Sequence, residues 1–157
     1  MQTVHAYPVR PAAAGDLDAL VALEAQVFAT DRISRRSFRR FLASPRAALM
    51  VAELDGMRAG YALVLFRAGS AIARLYSIAV APHAGRRRLG ATLLAAAEQA
   101  ARARGAERLR LEVHEANDPA IALYRKSGYA QFGRHADYYE DKGHALRFEK
   151  TLAPASP

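Results

Sequence analysis

Residues 80–94, VAPHAGRRRLGATLL, form the stretch around which the rest of the chain is organised. An apolar strand ends at Val80, a turn with a proline and a basic loop follow, and a helical pattern begins near Leu89. The first amides of a helix have no intrahelical partner, and the helix dipole adds positive potential there, so helix N-termini attract anions. The stretch therefore predicts a site for a phosphate or a pyrophosphate.

The residues of this loop add charge and access to the predicted site. Arg86, Arg87 and Arg88 place positive charge beside the start of the helix. Gly90 carries no side chain that would block a close approach between the backbone and a ligand. Arginine is frequent throughout the chain, so a surface turn with solvated arginines explains the same stretch equally well. Taken alone, this stretch leaves both interpretations open.

The length and composition are typical of a folded protein with one core. The chain has 157 residues, of which 52% are apolar, and we expect a single domain over residues 1–152 with a disordered tail over 153–157. The absence of cysteine excludes disulfides, thiolate nucleophiles and zinc–thiolate sites. We find no signal-peptide pattern and no stretch apolar enough to span a membrane, so we expect a cytoplasmic protein.

The charge of the chain is strongly basic, with a formal net charge of +8. Such a balance favours nucleic acid, an anionic cofactor or an acidic partner, although a compositional bias toward arginine explains it as well. The basic runs at residues 35–40 and 86–88 contain no interleaved aromatic residue except Phe38. Base-stacking surfaces need such aromatics, so nucleic acid is the less favoured partner.

The apolar periodicity predicts the order strand, two helices, three strands, helix, strand, helix, two strands. The predicted strands cover residues 3–9, 48–54, 60–67, 71–80, 107–114, 129–134 and 144–152. The predicted helices begin at Asp16, at Ser34, near Leu89, and at either Asn117 or Asp118. A meander followed by a crossover helix implies an α+β fold whose sheet has one parallel junction and is covered by helices.

Residues 111–129, LEVHEANDPAIALYRKSGY, form the second informative stretch. Glu112 lies on a strand and points away from the apolar row of that strand. A carboxylate beside a sheet can act as a general base, but a solvated or salt-bridged strand residue has the same pattern. Both interpretations of Glu112 stay open at this level.

Tyr124 follows Asn117 by seven residues, so the two share one face of the predicted helix. A phenol with a pKa of about 10 can donate a proton to a thiolate whose conjugate acid has a pKa near 8.5. A half-buried core tyrosine is the alternative. The chain contains no HxxxH pair with a carboxylate, no GxSxG, no Walker pattern and no GxGxxG, which disfavours a metal site, a serine nucleophile and nucleotide-binding loops.

In both stretches, residues 78–94 and 111–129, the chain resembles the GNAT superfamily of acetyl-CoA-dependent N-acetyltransferases, and within it the ribosomal-protein alanine acetyltransferase branch. The cofactor loop of the family usually reads Gln/Arg-x-x-Gly-x-Gly/Ala. Here Gly85 stands in place of the leading Gln/Arg, Arg88 stands in place of the first glycine, and Gly90 keeps the second glycine.

The resemblance implies a mixed, mostly antiparallel central sheet of about seven strands with helices on both faces. It also implies that the acetyl group of acetyl-CoA moves directly to a primary amine, in a ternary complex and through a tetrahedral intermediate. Neither a covalent enzyme intermediate nor a metal is expected. The acceptor would be a protein N-terminal α-amino group or a small-molecule amine.

The resemblance also assigns roles to individual residues. Glu112 matches the general base, acting through water, and Tyr124 matches the general acid that protonates the departing thiolate. The residues matching the coenzyme A site are Ile78, Ala79, Val80, Gly85, Arg86, Arg87, Arg88, Leu89, Gly90, Ala91, Asn117 and Tyr124. The residues matching the acceptor site are Phe28, Ile33, Tyr76, Tyr138 and Tyr139.

Two further points concern the acceptor and the alternative function. The alanine acetyltransferase branch usually carries Pro-Trp where this chain has Arg32 and Ile33, which leaves small amines open as acceptors. A non-catalytic acyl-CoA-binding or ribosome- or RNA-associated module would keep the basic loop and need neither Glu112 nor Tyr124. We expect no membrane partner and either a monomer or a homodimer.

Overall fold

The computed structural model describes residues 8–84 and 88–154. Within these residues the strands are β1 (Val9–Pro11), β2 (Ala47–Leu54), β3 (Met57–Leu65), β4 (Ile72–Val80), β5 (Arg108–His114), β6 (Ala130–His135) and β7 (Ala145–Thr151). The α-helices are α1 (Leu17–Val27), α2 (Arg35–Ala43), α3 (Leu89–Ala103) and α4 (Asp118–Lys126). The predicted order of elements is confirmed.

The strands form one sheet in the order β1-β2-β3-β4-β5-β7-β6. Among the described strands, only β4 and β5 run parallel, and every other neighbouring pair is antiparallel. The parallel pair is connected through α3, as a crossover between parallel strands requires. The predicted α+β sheet with one parallel junction is therefore confirmed.

Helices cover both faces of the sheet, as expected. On one face α3 and α4 pack with the apolar side of β5, where Leu109, Leu111 and Val113 are buried. On the other face α1 and α2 pack against β2, β3 and β4, around Leu20 and Phe38. Among the described residues, no helix is both long and apolar enough to cross a bilayer.

The hairpin between β2 and β3 shows how local sequence sets the register. Asp55 and Gly56 both have positive φ angles, 52° and 77°, as expected for the two-residue turn that suits twisted hairpins. Because this turn lets pairing start at once, Leu54 pairs with Met57. The strand β3 therefore begins three residues before the predicted start at Gly60.

Two predicted boundaries at the chain ends need comment. The first strand was expected over residues 3–9, but β1 extends to Pro11, because an edge strand tolerates a proline whose missing N–H faces away from the sheet. Residues 3–7 of that prediction, and residues 155–157 of the predicted tail, lie outside the described residues.

Asp16 is the N-cap residue of α1, as predicted, but its side chain makes no capping bond to that helix. Its carboxylate instead accepts a hydrogen bond from the Ala13 N–H at 2.8 Å and pairs with Arg10 and Arg58, each at 2.8 Å. The bond from Arg10 lowers the pKa of this buried carboxyl group well below its usual range. The predicted cap at Ser34 is confirmed, since its hydroxyl accepts from Ser37 N–H at 3.1 Å.

Candidate active site

A cleft opens where the two parallel strands diverge. β4 and β5 pair only over residues 72–75 and 108–111. Beyond this point, residues 77–80 pair only with β3, and residues 112–114 pair only with β7. A cavity of about 580 Å³ lies here and is lined by residues from both strands, from the segment after α1, from α4 and from the turn before β7.

The cleft exposes main-chain groups of β4. The N–H of Ala81 donates to the Ala59 carbonyl at 2.7 Å, so it points toward β3. Successive amides of a strand point in opposite directions, so the N–H groups of Val80 and Ile78 face the cleft. The side chain of Ala79 is buried in the α1–α2 core, on the other side of the sheet from α3.

The first turn of α3 lies beside the carboxyl end of β4. Arg88 is the N-cap residue, has a left-handed φ of 56° and makes no capping bond through its side chain. Leu89 is fully buried and Ala91 is exposed on the first turn. A Cβ on Gly90 would lie 3.3 Å from Leu123, so this glycine also lets α3 pack closely against α4.

Three residues of the predicted coenzyme A site, Gly85, Arg86 and Arg87, lie outside the described residues. Asn117 is the N-cap of α4, which resolves the choice between Asn117 and Asp118. Its Oδ1 accepts from the Ala120 N–H at 3.2 Å, and the residue lines the cavity.

Tyr124 lies on α4 and lines the cavity from the α3–α4 face of the sheet. Only 4% of the residue is exposed, and its ring packs against Tyr129 and Phe148. Within residues 8–84 and 88–154 its hydroxyl has no hydrogen-bond partner. Burial raises the pKa of this phenol, so it is protonated at neutral pH and cannot act as a base.

Glu112 lines the same cavity from β5, with 13% of its side chain exposed. Its Oε2 accepts from Arg74 Nε at 3.1 Å, and its Oε1 lies 3.6 Å from Arg147 Nε. The salt-bridged alternative therefore describes its contacts correctly. Glu112 also lines the cavity, so its role as a general base stays a prediction.

The predicted acceptor residues come from distant parts of the chain and line this one cavity. They are Phe28, Ile33, Tyr76, Tyr138 and Tyr139. Tyr138 and Tyr139 contact each other edge to face, with ring centroids 4.9 Å apart. The two carboxylate oxygens of Asp31 accept from the Glu140 N–H at 3.3 Å, which ties the segment after α1 to the turn before β7.

Sequence reasoning missed His114 as part of this site. Its Nδ1 accepts from the Ala116 N–H at 3.0 Å, so the ring proton lies on Nε2, which donates to Asp141 at 2.9 Å. The ring stacks on Tyr139 with centroids 5.0 Å apart. Both ring nitrogens are therefore occupied, and the histidine supports Tyr139 rather than offering a free base.

A buried network that sequence reasoning also missed reaches the cavity through Ser77. The Tyr61 hydroxyl donates to Glu24 and lies 2.7 Å from the Ser77 hydroxyl. Glu24 also accepts from the Ile33 N–H at 2.8 Å, and burial raises the pKa of its carboxyl group. The position of Glu24 in the apolar stripe of α1, four residues after Leu20, was the available signal.

A family model described as the acetyltransferase (GNAT) family matches residues 17–129. A protein of Bacillus subtilis (strain 168), provisionally named a ribosomal protein bS18 alanine N-acetyltransferase, is 33% identical over 128 residues, which are 82% of this chain and 83% of that protein. The streptothricin acetyltransferase of Streptomyces lavendulae is 37% identical over 103 residues, 66% of this chain and 53% of that enzyme.

A solved structure supports the same relationship. The ribosomal-protein-S18-alanine N-acetyltransferase from Escherichia coli superposes with a TM-score of 0.84 at 26% sequence identity. The match covers 95% of this chain and 96% of that one, so the similarity extends across the sheet and its helices.

Proposed function

Because the chain belongs to the acetyltransferase (GNAT) family, we propose that it transfers the acetyl group of acetyl-CoA directly to a primary amine while both substrates are bound. One observation carries the proposal. The divergence of β4 from β5 opens a cavity that is lined by residues of β4, including Ile78, and by Glu112 and Tyr124 on the neighbouring elements. Holding two reactants side by side in such a cavity supplies much of the rate of a transfer reaction.

The described residues fit a pantetheine arm and an anionic group. The inward N–H groups of Ile78 and Val80 can pair with the amides of the arm as an added strand would, and one of them can polarise the thioester carbonyl. Asn117 lines the same cavity as Ile78, and its side-chain amide supplies a further N–H donor. The first turn of α3 supplies unpaired N–H groups for the pyrophosphate.

The proton transfers follow from the two titratable groups of the cavity. Glu112, through water, takes a proton from the acceptor ammonium, which must be neutral before its nitrogen attacks the carbonyl carbon. A carbon–nitrogen bond then forms and the carbon–sulfur bond breaks. Tyr124, which burial keeps protonated, donates its proton to the departing sulfur, so that a free thiol leaves. The second proton that the nitrogen loses on becoming an amide returns to the Tyr124 oxygen and restores the phenol.

The acceptor that we propose is a protein N-terminal α-amino group or a small-molecule amine. The names of the relatives cover both kinds, a ribosomal protein alanine and streptothricin. The non-catalytic alternative is not favoured, because the matching family and these relatives are acetyltransferases.

A thiol-release assay tests the proposal. Purified protein is incubated with acetyl-CoA and a panel of peptides and small amines, and calorimetry measures acetyl-CoA binding separately. We expect binding of acetyl-CoA and release of thiol with at least one amine. No heat of association with any coenzyme A species would overturn the proposal. Salt-dependent RNA binding without acetylation would favour the non-catalytic alternative.

The role of Glu112 is tested by its pH dependence. In Glu112→Ala the acceptor amine must lose its proton unaided, so we expect the rate profile to move to higher pH. Glu112→Gln keeps the shape of the side chain and should show the same shift. A profile that does not move in either variant removes Glu112 from the role of base.

A further inference from the structure

We propose that Arg74 makes the acceptor site selective for amines that carry a carboxylate on the same residue as the reacting nitrogen. The inference rests on the proposed function and names the substrate class for it. Such acceptors are free amino acids, with their α-carboxylate, and peptides that begin with aspartate or glutamate. The shared chemistry is an anion a few bonds away from the amine.

Arg74 spans the acceptor side of the cavity. It lies on β4 just before the point where β4 and β5 separate, and it lines the cavity. Its Nε donates to Glu112 at 3.1 Å and its Nη2 donates to the Tyr138 hydroxyl at 2.6 Å. The guanidinium therefore lies between the proposed base and the aromatic pair of Tyr138 and Tyr139.

The guanidinium has donors left for a ligand. An arginine side chain carries five N–H donors in a planar fork, and the two bonds found among the described residues engage only Nε and Nη2. The side chain of Arg74 is 40% exposed although it lines a cavity. A planar guanidinium with free N–H groups binds a carboxylate with two parallel hydrogen bonds.

Arg147 shows that Arg74 does more than neutralise Glu112. Arg147 also pairs with Glu112, at 3.6 Å, from β7. Its guanidinium lies 4.7 Å from the centre of the Phe132 ring, and the residue does not belong to the cavity lining. The charge of Glu112 thus has a counterion outside the cavity, and Arg74 places a second cation where the acceptor binds.

The short distance between Arg74 and Glu112 sets the class of acceptor. Arg74 Nε lies 3.1 Å from the Glu112 carboxylate. When the reacting nitrogen lies beside Glu112, the guanidinium can therefore reach only groups that belong to the same residue as that nitrogen. A carboxylate there replaces part of the Glu112–Arg74 contact, while the ammonium is held beside Glu112 through the water that carries its proton. Both charges of the acceptor are then paired, which a neutral amide in the same place does not achieve.

The test compares matched acceptors in matched variants. The acceptor pairs are alanine against alaninamide, and the peptide amide Asp-Ala-Ala against Asn-Ala-Ala. For each pair, kcat/KM is measured with wild type, Arg74→Gln and Arg147→Gln. For each enzyme, kcat/KM for the anionic acceptor is divided by kcat/KM for its neutral counterpart. The ratio of each variant is then divided by the wild-type ratio, which cancels the intrinsic reactivity of each amine.

We expect Arg74→Gln to lower the anionic-to-neutral ratio by about 10-fold or more, which is the usual effect of losing a hydrogen bond to a charged group. Arg147→Gln should leave the ratio unchanged even if it alters turnover. A response of the alanine pair identifies the anion as an α-carboxylate, and a response of the Asp-Ala-Ala pair identifies it as a side-chain carboxylate.

An unchanged ratio in Arg74→Gln, or an equal fall in Arg147→Gln, overturns the inference, because Arg74 then only neutralises Glu112. Arg74→Lys keeps the charge without the fork and should retain part of the ratio, which keeps the test valid if Arg74→Gln does not fold. Turnover of neutral amines by wild type with no anionic preference contradicts this inference alone. Absence of turnover with every amine contradicts the proposed function instead.

Discussion

The two sides of the cleft are built from different parts of the chain and present different chemical groups. The proposed cofactor side, with residues 78–84 and 88–91 described, comes from one stretch of the chain and offers main-chain N–H groups of β4 and of the first turn of α3. The proposed acceptor side consists of residues 28–33, 74–77, 112–114 and 138–139 and offers charged and aromatic side chains. A backbone site depends on local geometry, whereas a side-chain site depends on contacts between distant segments.

This difference predicts how each side responds to substitution. On the cofactor side, a changed side chain should matter little as long as the backbone keeps its conformation. On the acceptor side, the Arg74–Tyr138 and His114–Asp141 hydrogen bonds join side chains, and the Asp31 carboxylate accepts from the Glu140 main-chain N–H. Disturbing one of these bonds should alter acceptor use without altering cofactor binding.

The largest effect is expected where the two sides meet, at Tyr124. In Tyr124→Phe we expect kcat to fall by roughly 10²–10⁴-fold, because the thiolate then leaves without a proton donor. The Kd for acetyl-CoA should stay within about threefold of wild type, since the ring and its packing remain. Steady-state thiol release and calorimetry measure the two quantities.

Tyr129→Phe is the matched control for this prediction. Tyr129 is also a buried tyrosine, in contact with Tyr124, but its hydroxyl donates to Glu98 and not toward the cavity. Its loss should lower the free energy of unfolding by about 1–3 kcal/mol and leave turnover unchanged. Equal turnover losses in the two variants would show that Tyr124 acts through packing.

A second test disturbs the acceptor side alone. A Cβ on Gly143 would overlap the His114 imidazole and lie 2.8 Å from an oxygen of Asp141. Gly143→Ala should therefore separate His114 from Asp141, release Tyr139 and raise the acceptor KM by about tenfold, a cost within the range of overpacking. Acetyl-CoA affinity should not change.

Gly15→Ala serves as the control for this variant, because a Cβ there meets no heavy atom within 4 Å. We expect wild-type kinetics from it. If Gly143→Ala weakens acetyl-CoA binding as much as acceptor use, the two sides are not independent and the comparison fails.

A third test uses Glu24, a buried carboxylate that contacts the acceptor side through Ile33. Burial raises the pKa of Glu24 in the folded state, so its ionisation works against folding. This stability is fully present below the unfolded pKa of about 4.3, and wild type should lose it as the pH rises from there through the raised pKa of the folded state. Glu24→Gln cannot ionise, and its amide can donate to Tyr61 while its oxygen still accepts from the Ile33 N–H.

We accordingly expect the Tm of Glu24→Gln, relative to wild type, to rise between pH 4 and pH 7, with the acceptor KM unchanged. Thermal unfolding at several pH values measures the difference. A difference that stays constant or shrinks toward pH 7 would contradict this account of Glu24.

The smallest effect is expected on the cofactor side, at Arg88. A left-handed residue other than glycine costs about 1–2 kcal/mol, of which Arg88→Gly recovers part. We expect Tm to rise by roughly 2–4 °C and acetyl-CoA affinity to change by less than about threefold. A much weaker affinity would mean that the Arg88 side chain, and not the backbone, holds the pyrophosphate.

The sequence signals for the proposed cofactor side are local, whereas those for the proposed acceptor side depend on distant residues. The strand-turn-helix pattern ending in Gly90, and the Asn117–Tyr124 spacing, are local signals that name their residues directly. The roles of Arg74 and His114 had no such signal, since each depends on what other strands bring near it. The sequence pattern did not decide whether Glu112 is a general base or a salt-bridged strand residue. Its two arginine contacts became visible only in the fold.

The sequence by itself determined the order of the elements, the α+β class and the single parallel junction, because helix and strand periodicity and turn residues act over a few positions. Only the tertiary structure decided how the acceptor side is charged. Arg74 meets Glu112 across 38 residues and Tyr138 across 64, and such contacts depend on strand register and on the divergence of β4 from β5. Those are properties of the whole sheet, to which no short stretch of sequence corresponds.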